Sequence, residues 1–354
     1  MAGPGLAQAL SGTRDLISIL GLIPIRPAVA LRAMTTHSSP VVTVEVVALA
    51  AALLSWAFYL LTKNCSHVDR LWSLLPPVYV AIFARRDLEA VARQVVLLGH
   101  GGKGGGEGPW VMPSLAALSR VVADSGADPR LLLAAALSLA WGVRLTYNFW
   151  RKGGYRPSYE DYRWLEVRKT MPPWAFELFS LFFIAAAQHL LCLLITVPAF
   201  VASVAGRRPL GVADWAAALV FLLLLVGEAA ADQQQWAFQQ RKKELLAKRV
   251  PLRGDLRRGF RTTGLFRFSR HPSFFGEYGM WWAFYFLCAA LPSGCGLGWA
   301  AAGAVGLTLL FHGGSLWITE RISRARYPAY AAYQRTTSAI IPWLPGPALP
   351  EDRD

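Results

Sequence analysis

Glu228 and Asp232 close an apolar run and stand four residues apart, which puts both carboxylates on one helix face. Gln233, Gln234 and Gln235 follow, then Arg241, Lys242 and Lys243. Together they make either a polar surface able to hold the ribose and phosphates of a nucleotide or an ordinary solvated helix end. Arg144 interrupts the apolar stretch Trp141 to Asn148. Arginine there snorkels to the interface or clamps a diphosphate. Arg267, Arg270 and His271 precede Pro272, which favours a helix start, so cations and the positive end of a helix dipole converge as an anionic cofactor requires. A basic membrane-edge loop is the plainer alternative. In the polar turn Asn64 to Trp72, His67 and Asp69 are proton donors to a buried substrate oxygen or caps of the next helix. His189 stands alone in an apolar run and reads as an interhelical hydrogen-bond partner; no metal ligand set is expected. Cys65, Cys192, Cys288 and Cys295 show no paired spacing and read as packing thiols.

The elements that must position these groups are membrane helices. The chain is 54% hydrophobic and 16% charged, against roughly 45–50% and about 25% for soluble domains. Tyr278 to Thr319 and Leu178 to Gly206 contain no Asp, Glu, Lys or Arg, and runs of this length read as spans. A soluble enzyme, a disordered chain and a disulfide scaffold are excluded. The expected fold is an all-α polytopic membrane bundle of about seven spans, at 41–62, 71–84, 131–150, 174–204, 212–231, 274–292 and 297–318. The last two form a hairpin turned at Leu291 to Gly296. The net charge is +14, of which +8 falls between Asp232 and Arg270. That concentration follows the positive-inside rule rather than nucleic-acid binding, and places this loop, loop 151–173 and the C-terminus in the cytosol, with the N-terminus lumenal or outside.

Residues 1–40 form an extension whose three arginines and single acid, Asp15, suit either an organelle-targeting segment or an interfacial helix. Residues 41–346 make the membrane domain, and 347–354 a polar tail. The segment Gly99 to Gly108 contains G-x-G-x-x-G, but Pro109 and further glycine follow where a phosphate-binding helix would have to begin. It reads as a flexible linker.

Asn64 to Trp72, Trp141 to Tyr155, Glu160 to Trp164, Glu228 to Gln235, Gly264 to Glu277 and Tyr327 to Trp343, in this order, resemble the steroid 5-alpha reductase superfamily, especially its broad branch long labelled as a domain of unknown function. The resemblance implies seven spans, residence in the endoplasmic reticulum or a bacterial membrane, and NADPH-dependent reduction of a double bond conjugated to a carbonyl in a steroid or other lipid. It implies cofactor contacts by Arg144, Glu228 and Asp232. It extends these to Ser273 (where steroid reductases have Asn), Glu277, and Glu320 with Arg321 near the cofactor chamber, beside the cations Arg267, Arg270 and His271 read above from the residues themselves. Steroid reductases hold the enone oxygen with a Glu and a Tyr; Asp69 and Tyr147 are the candidates here. Arg270-His271-Pro272 also resembles the cofactor loop of isoprenylcysteine-type membrane methyltransferases, which use S-adenosylmethionine. A non-catalytic lipid-binding protein is the third alternative.

Overall fold

A computed structural model describes residues 5–99, 114–292, 297–347 and 349. Most of the Gly-rich linker, the hairpin residues Ser293 to Gly296 with Cys295, and most of the tail lie outside these described residues. Among the described residues every regular element is helical. Helices α1 (Leu6–Leu20) and α2 (Pro27–Thr36) precede α3 (Pro40–Thr62), α4 (His67–Trp72), α5 (Leu75–Phe83), α6 (Arg85–Gly99) and α7 (Leu115–Asp124). Then come α8 (Pro129–Arg151), α9 (Tyr162–Arg168), α10 (Pro173–Ala205), α11 (Val212–Ala247), α12 (Pro272–Tyr285), α13 (Trp299–Arg326) and α14 (Tyr330–Thr336).

Five helices, α3, α8, α10, α11 and α13, are long and apolar enough to cross a membrane. The expected span at 71–84 is instead two short helices. Pro76 and Pro77 are admitted only at the first turn of α5, where their missing N–H costs nothing. At about 1.5 Å per residue, α5 covers less than half of a ~30 Å hydrocarbon core. The sixth expected span is α12, which runs on as a π-helical stretch, Phe286–Ala290.

Helix starts follow from sequence. Asp128 accepts the Arg130 N–H at 2.9 Å ahead of Pro129 at the head of α8, and Asp214 accepts the Gly211 N–H at 2.8 Å at the head of α11. The same Asp214 takes three hydrogen bonds of 3.1–3.2 Å from buried Arg130, joining these two heads. Glycines set the tightest helix contacts. A Cβ on Gly276 of α12 would stand 2.9 Å from Glu228 Cβ on α11, and one on Gly142 of α8 would stand 2.7 Å from the Ser73 carbonyl oxygen.

The extension is part of the packed structure. Gly12 of α1 lies so close to Val41 that a Cβ would come within 2.8 Å, and the Thr13 hydroxyl donates to Glu45 inside α3. His189 bridges helices as its isolation suggested, with Nε2 3.3 Å from Ser55 Oγ and Nδ1 2.7 Å from the Ala185 carbonyl. Cys65, Cys192 and Cys288 are buried free thiols.

Candidate functional site

Four of the sequence-selected residues meet at one point. Gly276 lets α12 approach α11, so that Glu277 comes beside Glu228, and α8 brings Arg144 between them. Arg144 Nη2 lies 2.8 Å from Glu228 Oε2 and 3.8 Å from Glu277 Oε2, while Nη1 donates to Asp232 Oδ2 at 3.0 Å. Asn148, one turn on, donates to the same Asp232 oxygen at 2.6 Å, and Lys152 Nζ lies 3.6 Å from Oδ1. Trp141 closes the inner side, its indole N–H donating to Glu277 at 2.9 Å. Three carboxylates thus share Arg144 and the half-exposed Lys152. Arg144 Nε, Arg144 Nη2 and Glu228 Oε2 are buried with no aligned hydrogen bond. The 2.8 Å contact between the last two is an ion pair by distance without hydrogen-bond alignment. Orphan atoms of this kind are costly.

Asn148 and Lys152 also line a cavity of about 530 Å³. Its walls are mostly apolar, with Phe179 and Phe183 from α10 and Phe311 and Ile318 from α13. Two of its walls pass through π-helical stretches, Ser180–Ala187 of α10 and Leu310–Ser315 of α13, a geometry that recurs at functional sites. The polar end is built by the loop before α9 folding under α4. Asn64 Nδ2 donates to the Tyr159 carbonyl at 2.8 Å, the Cys65 N–H to Glu160 at 2.9 Å, and the Asp161 N–H to Ser66 Oγ at 2.8 Å. Asp69, Tyr159, Asp161 and Arg163 consequently line the cavity together.

Asp69 does not cap its own helix; its carboxylate accepts the Trp164 indole N–H at 3.1 Å. Burial, reinforced by the charge of Asp161, pushes its pKa up, and Arg163 offsets only part of this. Asp161 is the opposite case. Burial opposes its charge, but the Arg163 guanidinium, at 2.8 and 3.0 Å, holds it below the ordinary value. The same desolvation, with the nearby charges of Asp161 and Asp69, pushes Tyr159 up to about 12. One carboxylic acid therefore favours its protonated form beside another that favours its charge.

The remaining sequence-selected residues are elsewhere. Tyr147 is exposed, under the Arg151 guanidinium at 5.6 Å, and is not among the cavity-lining residues. Arg270 donates to both oxygens of Glu320, at 3.0 and 2.9 Å, and His271 Nε2 lies 2.7 Å from Glu320 Oε1. Tyr330 and Gln334 complete that carboxylate's partners. These residues tie the loop to α13 and α14. Ser273 is half-buried in the first turn of α12, Arg321 lies over Trp317 at 5.3 Å, and Arg267 is exposed in a separate basic groove. Sequence reasoning passed over Tyr159, Asp161 and Arg163 as site residues, although the density of charge and aromatics in their loop was the available signal.

The described helices define an integral, multi-pass membrane protein with a partly open, mostly apolar chamber. The chain belongs to the family described as protein of unknown function (DUF1295), which matches residues 108–337. An uncharacterised protein of Schizosaccharomyces pombe is 37% identical over 298 residues, covering 82% of this chain and 76% of that relative. No solved structure matches the chain.

Proposed function

We propose that the protein is a membrane-embedded, NADPH-dependent reductase, related to the steroid 5-alpha reductases, that saturates a carbon–carbon double bond conjugated to a carbonyl in a steroid or other lipid. The observation that carries this reading is the shared wall of Asn148 and Lys152, which joins an apolar chamber with a protonatable end to a carboxylate–arginine cluster with orphaned polar atoms. Arg144 Nε is a buried donor without a partner beside the Arg144–Glu228 ion pair and the Asp232 carboxylate, a set able to meet the hydroxyls and amide of a nucleotide cofactor. Arg144, Glu228, Asp232 and Asn148 would hold it, with Lys152 on the cavity wall beside Asp232. NADPH, when bound, supplies a hydride.

The chain's own part is to orient the lipid and manage the proton. The apolar walls take the hydrocarbon body and exclude water, which strengthens every polar contact within. Asp69, held by Trp164, donates a hydrogen bond and then a proton towards the carbonyl oxygen as negative charge develops there. A hydride at the β-carbon with the Asp69 proton at oxygen would leave an enol, whose return to the carbonyl would move one proton from oxygen to the α-carbon, so that one hydride and one proton are added in all. In this reading α12 and the broken pair α4 and α5 taken together complete seven spans, the basic loops face the cytosol, and the protein resides in the endoplasmic reticulum or another organelle membrane.

The test is thermal unfolding of the detergent-purified protein with NADPH, NADH and S-adenosylmethionine in parallel, because a ligand of the folded state raises its stability. A rise with NADPH alone is expected. A rise with S-adenosylmethionine alone would reverse the assignment to a methyltransferase, and binding of lipid with neither cofactor would leave a carrier.

A further inference from the structure

The uncharged run Leu178 to Gly206 in α10 carries few hydroxyl, imidazole or amide side chains, and all but one of them are paired. The Ser180, Thr196 and Ser203 hydroxyls donate to the Glu177, Leu193 and Phe200 carbonyls at 2.8, 2.7 and 2.7 Å. His189 is engaged at both ring nitrogens, by Ser55 and by the Ala185 carbonyl. Its neighbour Gln188 is 8% exposed, lines the chamber, and has no hydrogen-bond partner for its carboxamide among the described residues. A buried amide left unpaired is costly, so its retention calls for a reason.

The backbone turns this amide towards the chamber. The Gln188 N–H donates to the Phe183 carbonyl, the i to i−5 bond that closes the π-helical stretch Ser180–Ala187. Five residues of α-helix would carry Gln188 about 140° round the axis from Phe183. The wider π turn stacks the two instead, and both line the chamber.

Gln188 also marks where the chamber ends. The lining stops at Gln188 on α10 and at Leu310 on α13, and beyond these residues the two helices close on each other. A Cβ on Gly306 would stand 3.2 Å from Leu191 Cδ1, and one on Gly303 would overlap the Leu194 carbonyl. The Asp69 end lies in the other direction. Trp164, which donates to Asp69, shares a packed cluster with Phe176, and Gln188 is on the order of 15 Å further along α10 than Phe176. A hydrocarbon tail reaching this closed end would leave the carboxamide unpaired, whereas a tail bearing oxygen satisfies it, because the amide offers two donors and an acceptor.

We propose that Gln188 determines specificity by binding a hydroxyl or carbonyl oxygen at the end of the lipid remote from the reacting carbonyl, so that the substrate is oxygenated at both ends. The word reacting rests on the reductase reading; the binding of the remote oxygen does not.

The experiment measures apparent Kd by thermal unfolding of the full chain, purified in neutral detergent, with two matched pairs of ligands. One is androst-4-en-3-one and its 17β-hydroxy counterpart, the other hexadecan-2-one and 16-hydroxyhexadecan-2-one. In at least one pair the hydroxylated member should bind about tenfold or more tightly than the deoxy member, since a site built to hydrogen-bond a hydroxyl rejects the analogue that lacks it. In Q188L that preference should vanish or reverse. The basal unfolding temperature of Q188L should equal or exceed the parent's, because no protein partner loses its bond. Equal affinities within both pairs in the parent, no response to either pair, a preference that survives in Q188L, or a lowered basal unfolding temperature in both Q188L and Q188M would each overturn the proposal. Q188M provides the same ligand comparison if Q188L does not fold. NADPH measured in parallel separates the two readings. A hydroxyl preference lost in Q188L without any NADPH response in the parent would sustain the role of Gln188 and remove the reductase, and an NADPH response without a hydroxyl preference would do the reverse.

Discussion

Arg144 Nη2 stands 2.8 Å from Glu228 Oε2, and both atoms are buried. Replacing Arg144 by Gln removes the guanidinium shared by three carboxylates and leaves Glu228 and Glu277 without a cation, while Asp232 keeps Lys152. The expected loss is about 3–5 kcal/mol, the range for breaking a buried pair from one side. Thermal unfolding in detergent measures it. The double variant R144Q/E228Q should recover part of the loss, and strict additivity would disprove the coupling.

Gly276 tests whether the cluster depends on helix approach. Ala at this position sets a Cβ 2.9 Å from Glu228 Cβ, so α12 must shift by a few tenths of an ångström. The G276A variant should weaken NADPH binding by about tenfold while remaining folded, because small displacements of positioned groups are expensive. G276L should lose binding altogether. Titration of each variant with NADPH, followed by nucleotide fluorescence, reads the difference.

Asp69 predicts a pH dependence with a definite sign. Its pKa is raised in the folded state from the ordinary 3.8. Folding therefore favours its protonated form, a contribution present below the unfolded value and lost as pH rises through the folded one. D69N carries no charge, so it should unfold at a higher temperature than the parent at pH 8 and at nearly the same temperature at pH 4. Its reductase turnover should fall about 100-fold or more, the scale of general-acid catalysis, and lose its alkaline limb. Equal unfolding temperatures at pH 8 would show that Asp69 is charged at no cost.

The chamber itself is tested at Gly314, which lines it from α13. A Cβ there would make only an ordinary 3.6 Å contact with Leu310, so G314L should fold. It should raise KM for the lipid several-fold with little change in NADPH affinity, since it removes volume far from Arg144. Steady-state kinetics with varied lipid and fixed NADPH separate the two.

Residues 1–36 supply a fifth test. Their removal strips Thr13 from Glu45 and uncovers the packed face around Val41. Glu45 is half-buried, so in T13V, where α1 still covers it, losing the donor costs about 1 kcal/mol. The truncated chain should unfold at a lower temperature than T13V, and T13V at a lower temperature than the parent.

What the sequence disclosed follows a physical divide. Arg144, Glu228, Asp232 and Glu277 stand out because ionisable groups are conspicuous in apolar runs, and helical spacing gives two of them a common face. The loop holding Asp161 and Arg163 stands out for its density of charge and aromatics, but which of its residues reach the site does not, because polarity in a loop is ordinary. Only the long-range ties from Asn64, Cys65 and Ser66 bring that loop beneath α4. Arg130 and Asp214 were hidden for a related reason: at helix heads each reads as a cap or a snorkelling end, and their pairing depends on tertiary geometry. The helices were legible as apolar runs, whereas the shortness of α5 turned on where Pro76 and Pro77 fall in its first turn.

The π-helical stretch Leu310–Ser315 carries an extra residue within a helix that has chemistry on both sides. Trp317 and Ile318 beyond it face the chamber, and Glu320 beyond them anchors Arg270 and His271. A residue added to or removed from the stretch without a matching change in turn width would rotate everything after it by about 100°. Chamber wall and loop anchor would turn away together, so the length of this stretch is a phase setting common to both. Insertions and deletions at this point are therefore far less tolerable than substitutions.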